Sequence, residues 1–493
     1  MGAGTPLSGS FGVTVEGTSV AATEAAWLLR WLGADVVTSA GTGPGGPAIQ
    51  AGAMRVPVAA DGDPVRVWAE SGLSALVGVP GQAPPAVDPA WLQRLRGQLA
   101  VLDLLAQRAG AAPLPADHDA AVLLGERAAL VGHRGWGDTA PGGSCRMLRA
   151  ADAWLAVNLA RPDDIDMVPA WLELDGVDDG DVWSAAALRL PERPAADWLE
   201  RAGWLGLPVA PVGPPPADDE QLAERGQGPI PVPFLPGPSG GERPDRRVRT
   251  VVDLSALWAG PLAASLLGRT GARVLKVEHR RRPDGARRGS RQFYELLNAG
   301  KDEVALDFDT TAGRAELREL CAAADVVIEA SRPRALRQLG IDADELVAEH
   351  GVVWVSITGY GRTGPWSDRV AFGDDAGAAG GLVVMNDDRA PWFVGDAVAD
   401  PITGIAAAIA ALAGLAQGRG RLFDVAMRET VAHLVAGSPP ARLRAPAGPD
   451  ADATPDVDGG AVGWRLRSAD GAWVRCAPAS HRSPGSRHRR GTR

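Results

Sequence analysis

The chain has 493 residues, 45% of them hydrophobic and 22% charged, a balance typical of soluble globular proteins with about two to four domains. Its formal net charge of −10 at pH 7 argues against a general nucleic-acid binder. The three cysteines are far apart and form no CxxC pair, so we expect a reducing compartment, no disulfide framework and no metal site.

The first residues predict neither export nor membrane insertion. Residues 1–10 are small and polar, without the basic and apolar regions of a signal peptide. The longest apolar run, residues 405–416, has 12 residues, which is too short to span a bilayer. We therefore expect a cytoplasmic protein with no membrane partner.

The N-terminal part predicts the opening of a parallel sheet. Apolar periodicity over residues 12–40 predicts a strand, a helix and a strand in succession. Residues 41–46 match the GxGxxG pattern, but Pro44 interrupts it and no helix follows, so we expect a loop. Residues 149–158 predict a pair of small strands. Helices are predicted at 66–80, 90–110, 162–172, 183–190 and 195–205.

Residues 207–250 contain 11 prolines and separate two regions of regular pattern. Because proline lacks a backbone N–H and has a fixed φ, such a stretch sustains neither a helix nor a central strand. We expect an extended linker and the main domain boundary here.

After this linker, the chain alternates between strands and helices. Buried strands are predicted at 250–255, 273–278, 302–307, 325–329 and 352–357. Continuous apolar strands separated by helices are typical of a parallel sheet covered on both faces, so the predicted fold class is α/β. Residues 478–493, rich in Arg, Pro, Ser and Gly, predict a disordered basic tail.

Three pairs of similar segments occur in the same order in the two halves of the chain. The pairs are 28–36 with 266–274, 87–89 with 399–401, and 148–154 with 466–473. We interpret them as a partial internal duplication.

Residues 392–404 predict a short strand, a turn that holds Asp396 and Asp400, and the start of an apolar helix. Thr403 is the expected N-cap of that helix. A carboxylate just before a helix faces unpaired N–H groups and the positive end of the helix dipole, which would keep Asp400 ionised. The alternative is a helix-start carboxylate without a chemical role.

A cationic loop follows the strand that ends at Glu278. Open α/β sheets bind ligands at the carboxyl ends of their strands, so this loop predicts a site for an anionic cofactor. A solvated surface loop is the alternative. The arginines of the loop are Arg280, Arg281, Arg282, Arg287, Arg288 and Arg291.

Six ordered motifs occupy residues 251–261, 271–278, 298–307, 324–329, 356–365 and 395–404. Together they resemble the class III CoA-transferases, also called the CaiB/BaiF family, over about residues 248–435. The N-terminal half resembles the same family in pieces, with its opening at 12–40 and its small domain at 144–213. The resemblance implies a Rossmann-like large domain, a smaller α+β domain and an interlocked dimer.

The resemblance also implies a reaction and its residues. Asp400 matches the family's catalytic aspartate, which moves CoA from an acyl-CoA to a small carboxylic acid through a mixed anhydride and an aspartyl-CoA thioester. We expect an ordinary pKa near ~4 for this carboxyl. CoA would be a substrate rather than a permanently bound cofactor, and no metal is implied. The positions implied near CoA are Ala259, Gly260, Arg280 and Lys301.

Two departures from the family pattern leave alternatives open. Ala330 and Ser331 stand where family members often carry Asn-Phe, and residues 372–374 lack the histidine of the racemase branch. The missing acid/base pair weakens racemisation relative to transfer. An acyl-CoA racemase or isomerase and a catalytically decayed CoA-binding paralogue remain alternatives. We assign Asp396 as a supporting carboxylate and give Asp88 no role.

We therefore predict five regions along the chain. They are a partial CoA-transferase-like α/β region at 1–140, a small α+β domain at 141–206, a Pro-rich linker at 207–247, a large domain with the catalytic aspartate at 248–435, and a partial second small-domain fragment with the basic tail at 436–493. Because each copy is incomplete, we expect either an intramolecular pseudo-dimer of the two copies or a homodimer.

Overall fold

The computed structural model describes residues 12–175, 181–242, 249–449 and 463–483. Its helices are α1 (Val20–Trp31), α2 (Pro64–Glu70), α3 (Ala90–Arg108), α4 (Ala120–Val131), α5 (Pro162–Asp166), α6 (Val168–Leu172), α7 (Val182–Arg189), α8 (Ala195–Leu205), α9 (Glu220–Glu224), α10 (Ala259–Gly268), α11 (Arg291–Asn298), α12 (Thr311–Ala323), α13 (Pro333–Gln338), α14 (Ala343–His350), α15 (Gly373–Ala379), α16 (Ala399–Ala416) and α17 (Met427–Val435).

The strands are β1 (Gly12–Glu16), β2 (Asp35–Ser39), β3 (Ala48–Ala51), β4 (Met54–Pro57), β5 (Cys145–Arg149), β6 (Trp154–Asn158), β7 (Val209–Pro211), β8 (Leu235–Glu242), β9 (Thr250–Asp253), β10 (Arg273–His279), β11 (Asp302–Leu306), β12 (Val326–Glu329), β13 (Val353–Thr358), β14 (Val383–Met385), β15 (Pro391–Phe393), β16 (Arg419–Ala426), β17 (Ala447–Pro449), β18 (Trp464–Arg467) and β19 (Trp473–Arg475).

A seven-stranded sheet forms the centre of the C-terminal half, in the order β11-β10-β9-β12-β13-β16-β8. Its neighbouring strands pair in parallel except for β8, which is antiparallel to β16. Val251 of β9 packs in a core with α10 and α16, whereas Val252 packs in a core with α12 and α14. Both faces of the sheet are therefore covered by helices, and the predicted α/β fold class is confirmed.

The proline-rich stretch 207–250 is not one extended linker. It contributes β7 to a small sheet, the helix α9, and β8 to the edge of the large sheet. The pairing of β8 with β16 has two register shifts. Because an edge strand leaves one row of backbone groups outside the ladder, it accepts Pro236 and Pro238 where a central strand would not. The expected linker is therefore wrong for these elements.

The N-terminal residues form a four-stranded sheet in the order β2-β1-β3-β4. The parallel pairing of β1 with β2 confirms the predicted strand-helix-strand opening around α1. The loop predicted at 41–46 is also confirmed. It leads into the hairpin β3–β4, which was not predicted, and the hairpin buries Ile49 and Val56 in the core.

Helix α3 joins the two halves of the chain. It packs on α1 and on α16, and one continuous hydrophobic core contains residues of all three helices. Leu28 of α1, Leu92 of α3 and Ile409 of α16 are fully buried in it. The N-terminal and C-terminal halves thus share one interior, whose burial stabilises both of them.

Residues between α4 and α9 form a smaller α+β unit. Strands β5, β6 and β7 make an antiparallel sheet. The strand pair predicted at 149–158 is confirmed for its second strand, whereas the first strand lies earlier, at Cys145–Arg149. Helices α5 to α8 enclose Trp171 and Trp198, whose ring centroids are 5.9 Å apart. Asn158 Nδ2 joins this unit to α15 by donating to Asp375 Oδ1 at 2.8 Å.

Residues 463–483 lie against the N-terminal half. The Ala477 N–H donates to the carbonyl of Ala69 at 2.8 Å. The buried Arg482 forms two hydrogen bonds with the buried Glu126 of α4, at 2.7 and 3.0 Å. The predicted disordered tail is therefore wrong for its first residues, up to position 483, and its remainder lies outside the described residues.

Helix α16 has the length and apolar composition of a membrane-spanning segment, and no other helix in the described ranges has both. Almost all of it is buried against α3, α10, α17 and the sheet. A helix that is apolar all round and enclosed by protein is typical of the core of a globular protein.

A cut in the chain between β8 and β9 should leave the two halves associated. Cleavage at a protease site placed within residues 243–248 would put β8 and its partner β16 on different fragments, and likewise α3 and α16. Because these contacts bury a shared core, we expect both fragments to elute together in size-exclusion chromatography, at the volume of the uncut chain.

The control is the same cleaved protein in denaturant, where the fragments should separate. Two halves that elute apart as folded species under native conditions would contradict the pseudo-dimer.

Candidate functional site

Asp400 lies in the first turn of α16, which begins at Ala399. Thr403 therefore lies inside the helix, where its Oγ1 donates to the Ala399 carbonyl at 2.6 Å. The predicted N-cap at Thr403 is wrong, because the chain turns at Ala397 and enters the helix earlier than the sequence pattern indicates. Asp400 is consequently fixed by helical backbone rather than by a loop.

The turn before α16 is strained. Ala397 has a φ of 46°, in the left-handed region that residues with a side chain rarely adopt. The buried Asp374 of α15 holds this turn by accepting the Ala397 N–H at 2.8 Å. A Cβ at Gly373 would lie 2.3 Å from both the Ala397 carbonyl oxygen and Asp400 Oδ2. The start of α15 thus holds the turn and leaves room for the Asp400 carboxyl.

The Asp400 carboxyl faces the N-terminus of α10. The N-cap residue, Trp258, makes no side-chain hydrogen bond to this helix, and the backbone of Ala259 hydrogen-bonds to Asp400. The two helices approach closely, since a Cβ at Gly404 would lie 2.7 Å from the Ala259 carbonyl oxygen. The positive N-terminal ends of both α10 and α16 therefore lie beside the Asp400 carboxyl.

A second strained turn precedes α10. Leu257 has a φ of 67°, and its N–H donates to Asp284 Oδ1 at 3.0 Å. The buried Asp284 pairs with the buried Lys276 at 3.0 Å. A buried aspartate thus holds each of the two turns that meet at Asp400, and strained backbone of this kind concentrates at functional sites.

The four positions predicted near CoA lie in different surroundings. Ala259 and Gly260 begin α10 and lie beside Asp400. Arg280 is exposed directly after β10, at the carboxyl edge of the sheet. Lys301 is buried beneath α10. The predicted contact of each with CoA stays a prediction.

Lys301 has three protein acceptors. Its Nζ lies 2.9 Å from each of Asp253 Oδ2, the Pro261 carbonyl oxygen and Asn298 Oδ1. Burial lowers the pKa of Lys301 to about 8, while the carboxylate of Asp253 opposes this shift. These contacts tie β9, α10 and α11 together, so Lys301 supports the helix that faces Asp400.

Two residues of the N-terminal half pair with the fully buried Asp396. Arg127 of α4 binds both carboxylate oxygens, with its Nε 2.8 Å from Oδ2. His133 Nδ1 lies 3.1 Å from the same Oδ2. Burial alone would raise the pKa of Asp396, but Arg127 and His133 outweigh burial and hold that pKa far below its usual range. Asp396 is therefore ionised and joins the two halves of the chain.

Arg127 and His133 were not predicted as site residues, because no helix was predicted for α4. The sequence does carry the signal of this helix. Asp119 caps its N-terminus by accepting a backbone N–H, and Gly132 ends it with a φ of 75°. The contact of Arg127 with a residue 269 positions away is a result of tertiary packing, which no local pattern reveals.

Two further carboxyls beside Asp396 have raised pKa values. Burial raises the pKa of Asp400 to about 7, while Arg127 opposes the shift and Asp374 adds to it. Burial and the charge of Asp396 raise the pKa of Asp374 to about 6, again against Arg127. The ordinary pKa expected for Asp400 is wrong, because the enclosure and the neighbouring carboxylates arise only on folding. At neutral pH both protonation states of Asp400 are populated.

One other cluster has the spacing of metal ligands. His279, Asp307 and Asp309 bring a ring nitrogen and two carboxylate oxygens within 4.8 Å of one another. His279 Nδ1 accepts the Arg281 N–H at 3.0 Å, so in the neutral ring Nε2 carries the proton and faces Asp309 at 3.4 Å. Arg281 also pairs with Asp309. The described residues hold this cluster as an ion-pair network, in which Nε2 of the buried His279 makes no hydrogen bond.

Residues 249–482 match the sequence model of CoA-transferase family III. The match includes the parallel strands of the large sheet, the Asp400 turn and the C-terminal segment on the N-terminal half. This region is similar to CoA-transferase family III. The predicted resemblance is confirmed here, whereas the partial N-terminal copy stays a prediction.

Similar proteins carry CoA-transferase names. Succinyl-CoA–D-citramalate CoA-transferase of Chloroflexus aurantiacus is 32% identical over 210 residues, which cover 39% of this chain and 52% of that protein. Succinate–glutarate CoA-transferase of Agrobacterium fabrum is 32% identical over 222 residues, which cover 39% and 56%. The chain spans about half the length of these relatives. A crystal structure of a CAIB/BAIF family protein from Brucella suis aligns with 31% identity and a TM-score of 0.37, over 40% of this chain and 56% of that chain.

The substitution Asp400→Asn should stabilise the protein, and more at high pH than at low pH. The folded-state pKa of Asp400, about 7, is above its unfolded value near ~4. Its contribution to stability is therefore full below pH ~4 and is lost as the pH rises through about 7. We expect the variant's free energy of unfolding to exceed that of the wild type by up to about 4 kcal/mol at pH 8, and by little at pH 4, in urea titrations.

Asp388→Asn, at an exposed aspartate, is the matched control and should show a small change at both pH values. An Asp400→Asn gain that is equal at pH 4 and pH 8 would contradict the raised pKa.

Proposed function

We propose that the chain transfers CoA from an acyl-CoA donor to a carboxylic acid, with Asp400 as the nucleophile. The observation that carries this proposal is the Asp400 carboxyl facing the start of α10, inside a region that matches the sequence model of CoA-transferase family III. An acyl transfer through a carboxylate needs a positioned nucleophile and donors for a developing oxyanion, and the Asp400 carboxyl and the backbone at the start of α10 support these two roles.

The first half of the reaction would load CoA onto the enzyme. The Asp400 carboxylate attacks the thioester carbonyl of the donor, the C–S bond breaks, and a mixed anhydride and CoA thiolate form. The thiolate then attacks the Asp400 carbonyl of the anhydride. The donor acid leaves as a carboxylate with one former Asp400 oxygen, and Asp400 becomes a CoA thioester.

The second half would reverse these steps with the acceptor acid. Its carboxylate attacks the Asp400 thioester, which gives a second mixed anhydride and free CoA thiolate. The thiolate attacks the acceptor acyl carbon, the acyl-CoA product leaves, and Asp400 returns as a carboxylate with one oxygen from the acceptor. Atoms and charge balance without an external oxidant or reductant.

The N–H groups at the start of α10 support this chemistry. The Ala259 backbone already hydrogen-bonds to the Asp400 carboxyl in the resting state. When Asp400 is an anhydride or a thioester, its carbonyl oxygen becomes the oxyanion of a tetrahedral intermediate. Donors from Ala259 and Gly260 would stabilise that charge, and loss of one such donor typically costs about 100-fold to 1,000-fold in rate.

The strand order supports a CoA site beside α10. From β9 the chain proceeds to β10 and β11 on one side, and β12 and β13 lie on the other side, so the order reverses between β9 and β12. Open α/β sheets bind ligands at such a point, outside the carboxyl ends of the strands. The neighbouring exposed arginines, Arg280 and Arg282, carry charge that complements the phosphates of CoA, whereas Arg281 already pairs with Asp309. Arg287 is already paired with Glu278 and Glu303.

The names of the relatives support dicarboxylic acids as the first substrates to test. Those relatives act, by name, on succinyl-CoA or succinate with citramalate or glutarate. We propose succinyl-CoA as the donor and these acids as acceptors in a first panel. The ion pair between Arg127 and Asp396 also supports an intramolecular pseudo-dimer, in which both halves of one chain build the site.

Acyl-CoA racemisation is the second candidate function, and one observation favours it. The histidine that the sequence lacks at residues 372–374 is supplied near the site by His133, which hydrogen-bonds to Asp396. Exchange of the substrate α-hydrogen with solvent deuterium discriminates the two reactions. Transfer predicts no exchange, whereas racemisation requires it. If the protein shows neither reaction with a panel of acids, a decayed CoA-binding paralogue is favoured.

Incubation with succinyl-CoA and hydroxylamine should modify Asp400. Hydroxylamine attacks the anhydride or the thioester and leaves a hydroxamate, which mass spectrometry locates on the peptide. We expect the adduct on Asp400, and we expect Asp400→Asn to lose both the adduct and at least ~1,000-fold of transfer activity, because the nucleophile is gone. An adduct at another residue, or transfer that survives in Asp400→Asn, would rule out the mechanism.

Gly373→Ala should abolish most of the transfer activity. The new Cβ would lie 2.3 Å from both Asp400 Oδ2 and the Ala397 carbonyl oxygen, so the carboxyl and the turn before α16 must shift. Because a displacement of about 1 Å can cost about 100-fold, we expect at least that loss in kcat. Gly228→Ala, at a glycine whose Cβ meets nothing within 4 Å, should retain activity. Equal activity of the two variants would show that the space at Gly373 is irrelevant to Asp400.

A further inference from the structure

We propose that Arg127 is a positioning residue, which holds the catalytic turn and places a fixed positive charge beside Asp400 from the N-terminal half of the chain. This inference rests on Asp400 being the nucleophile of the proposed transfer. It assigns a part in that reaction to α4, which lies outside the region that matches CoA-transferase family III.

The contacts of Arg127 reach both sides of the site. Its guanidinium binds the two oxygens of Asp396, which is fully buried and lies four residues before Asp400. The same guanidinium lies over the ring of Trp258, with 5.3 Å between Cζ and the ring centroid. Trp258 is the N-cap of α10, whose first N–H group faces Asp400. One side chain therefore bridges the turn before α16 and the start of α10.

Helix α4 is itself held firmly. Glu126, the residue before Arg127, is fully buried and pairs with Arg482 of the C-terminal segment through two hydrogen bonds. Asp119, at the N-terminus of α4, pairs with Arg96 of α3 through two more, at 2.8 and 3.0 Å. The guanidinium is consequently presented from a fixed scaffold, and little side-chain freedom remains to be lost during the reaction.

The charged groups around Asp400 come from several elements. Asp374 of α15 and Asp396 of the turn are carboxylates, and each raises the pKa of Asp400. Arg127 of α4 lowers it, and so does the backbone hydrogen bond from α10. His133, after α4, is hydrogen-bonded to Asp396 and acts on Asp374. Among these groups, Arg127 alone carries a permanent positive charge.

Loss of this charge should make Asp400 harder to ionise. Without Arg127, the buried Asp396 loses its main partner, and Asp400 loses a fixed cation that favours its carboxylate. Fewer molecules would then hold the nucleophilic form at neutral pH. The pH dependence of transfer, which rises with ionisation of Asp400, should therefore move to higher pH.

The test is a direct titration of Asp400 that needs no activity. Protein labelled with carbon-13 at the aspartate carboxyl carbons is titrated by NMR, and the Asp400 resonance is identified by its absence in Asp400→Asn. We expect Arg127→Met to move its midpoint upward by at least about one pH unit from the wild-type value. Arg127→Lys, which keeps the charge but loses the two-bond geometry, should move it less.

The matched control is Arg428→Met, which removes the two-bond pair of Arg428 with Asp219, on elements that do not carry Arg127. It should leave the Asp400 midpoint unchanged. If Arg127→Met does not fold, Arg127→Gln serves in its place. A folded Arg127→Met or Arg127→Gln with an unchanged Asp400 midpoint would overturn the proposal.

The pH profile of kcat/KM for transfer is the second measurement. It should shift upward with the NMR midpoint in the variant that removes the charge, and Arg127→Lys should restore the profile at least in part. An NMR shift together with a fully active Asp400→Asn would support the role of Arg127 in the local charge but reject Asp400 as the nucleophile. An unchanged midpoint together with an inactive Asp400→Asn would reject the role of Arg127 and support Asp400 as the nucleophile.

Discussion

The ion pair between Arg127 and Asp396 is the contact on which the candidate site depends. Asp396 is fully buried, the Arg127 side chain is 26% exposed, and two hydrogen bonds join these residues, which are 269 positions apart. Removal of Arg127 would leave the buried Asp396 carboxylate without its main partner, which is destabilising. The pair therefore couples the assembly of the two halves to the geometry of the turn that carries Asp400, so a complete site requires both halves of the chain.

The large sheet explains why this geometry occurs where it does. The reversal of strand order beside β9 places the start of α10 at the carboxyl edge, and α16 crosses α10 closely enough to bring Asp400 to that start. The turns at Leu257 and Ala397 have unfavourable backbone conformations, and a buried aspartate hydrogen-bonds to each. The shared core of α1, α3 and α16 stabilises a fold that can tolerate this local strain.

The parts predictable from sequence were those with a local signal. The alternation of apolar strands and helices indicated the parallel sheet, and short ordered motifs indicated Asp400 and the start of α10. Local pattern was insufficient for β8, since only its edge position makes its prolines acceptable. It was also insufficient for the pKa of Asp400, because Arg127, Asp374 and Asp396 meet only after folding. The sequence carries a capping signal for helix α4, but it carries no local signal for the contact of Arg127 with Asp396.

The transfer of oxygen is the measurement that tests the account most directly. The protein is incubated with succinyl-CoA and an acceptor acid labelled with oxygen-18 in its carboxylate, and the peptide of residues 390–419 is then fragmented by mass spectrometry. If Asp400 passes through the second mixed anhydride, one labelled oxygen appears in its carboxyl after turnover. Label in Asp396, or product formed without label in Asp400, would contradict the account.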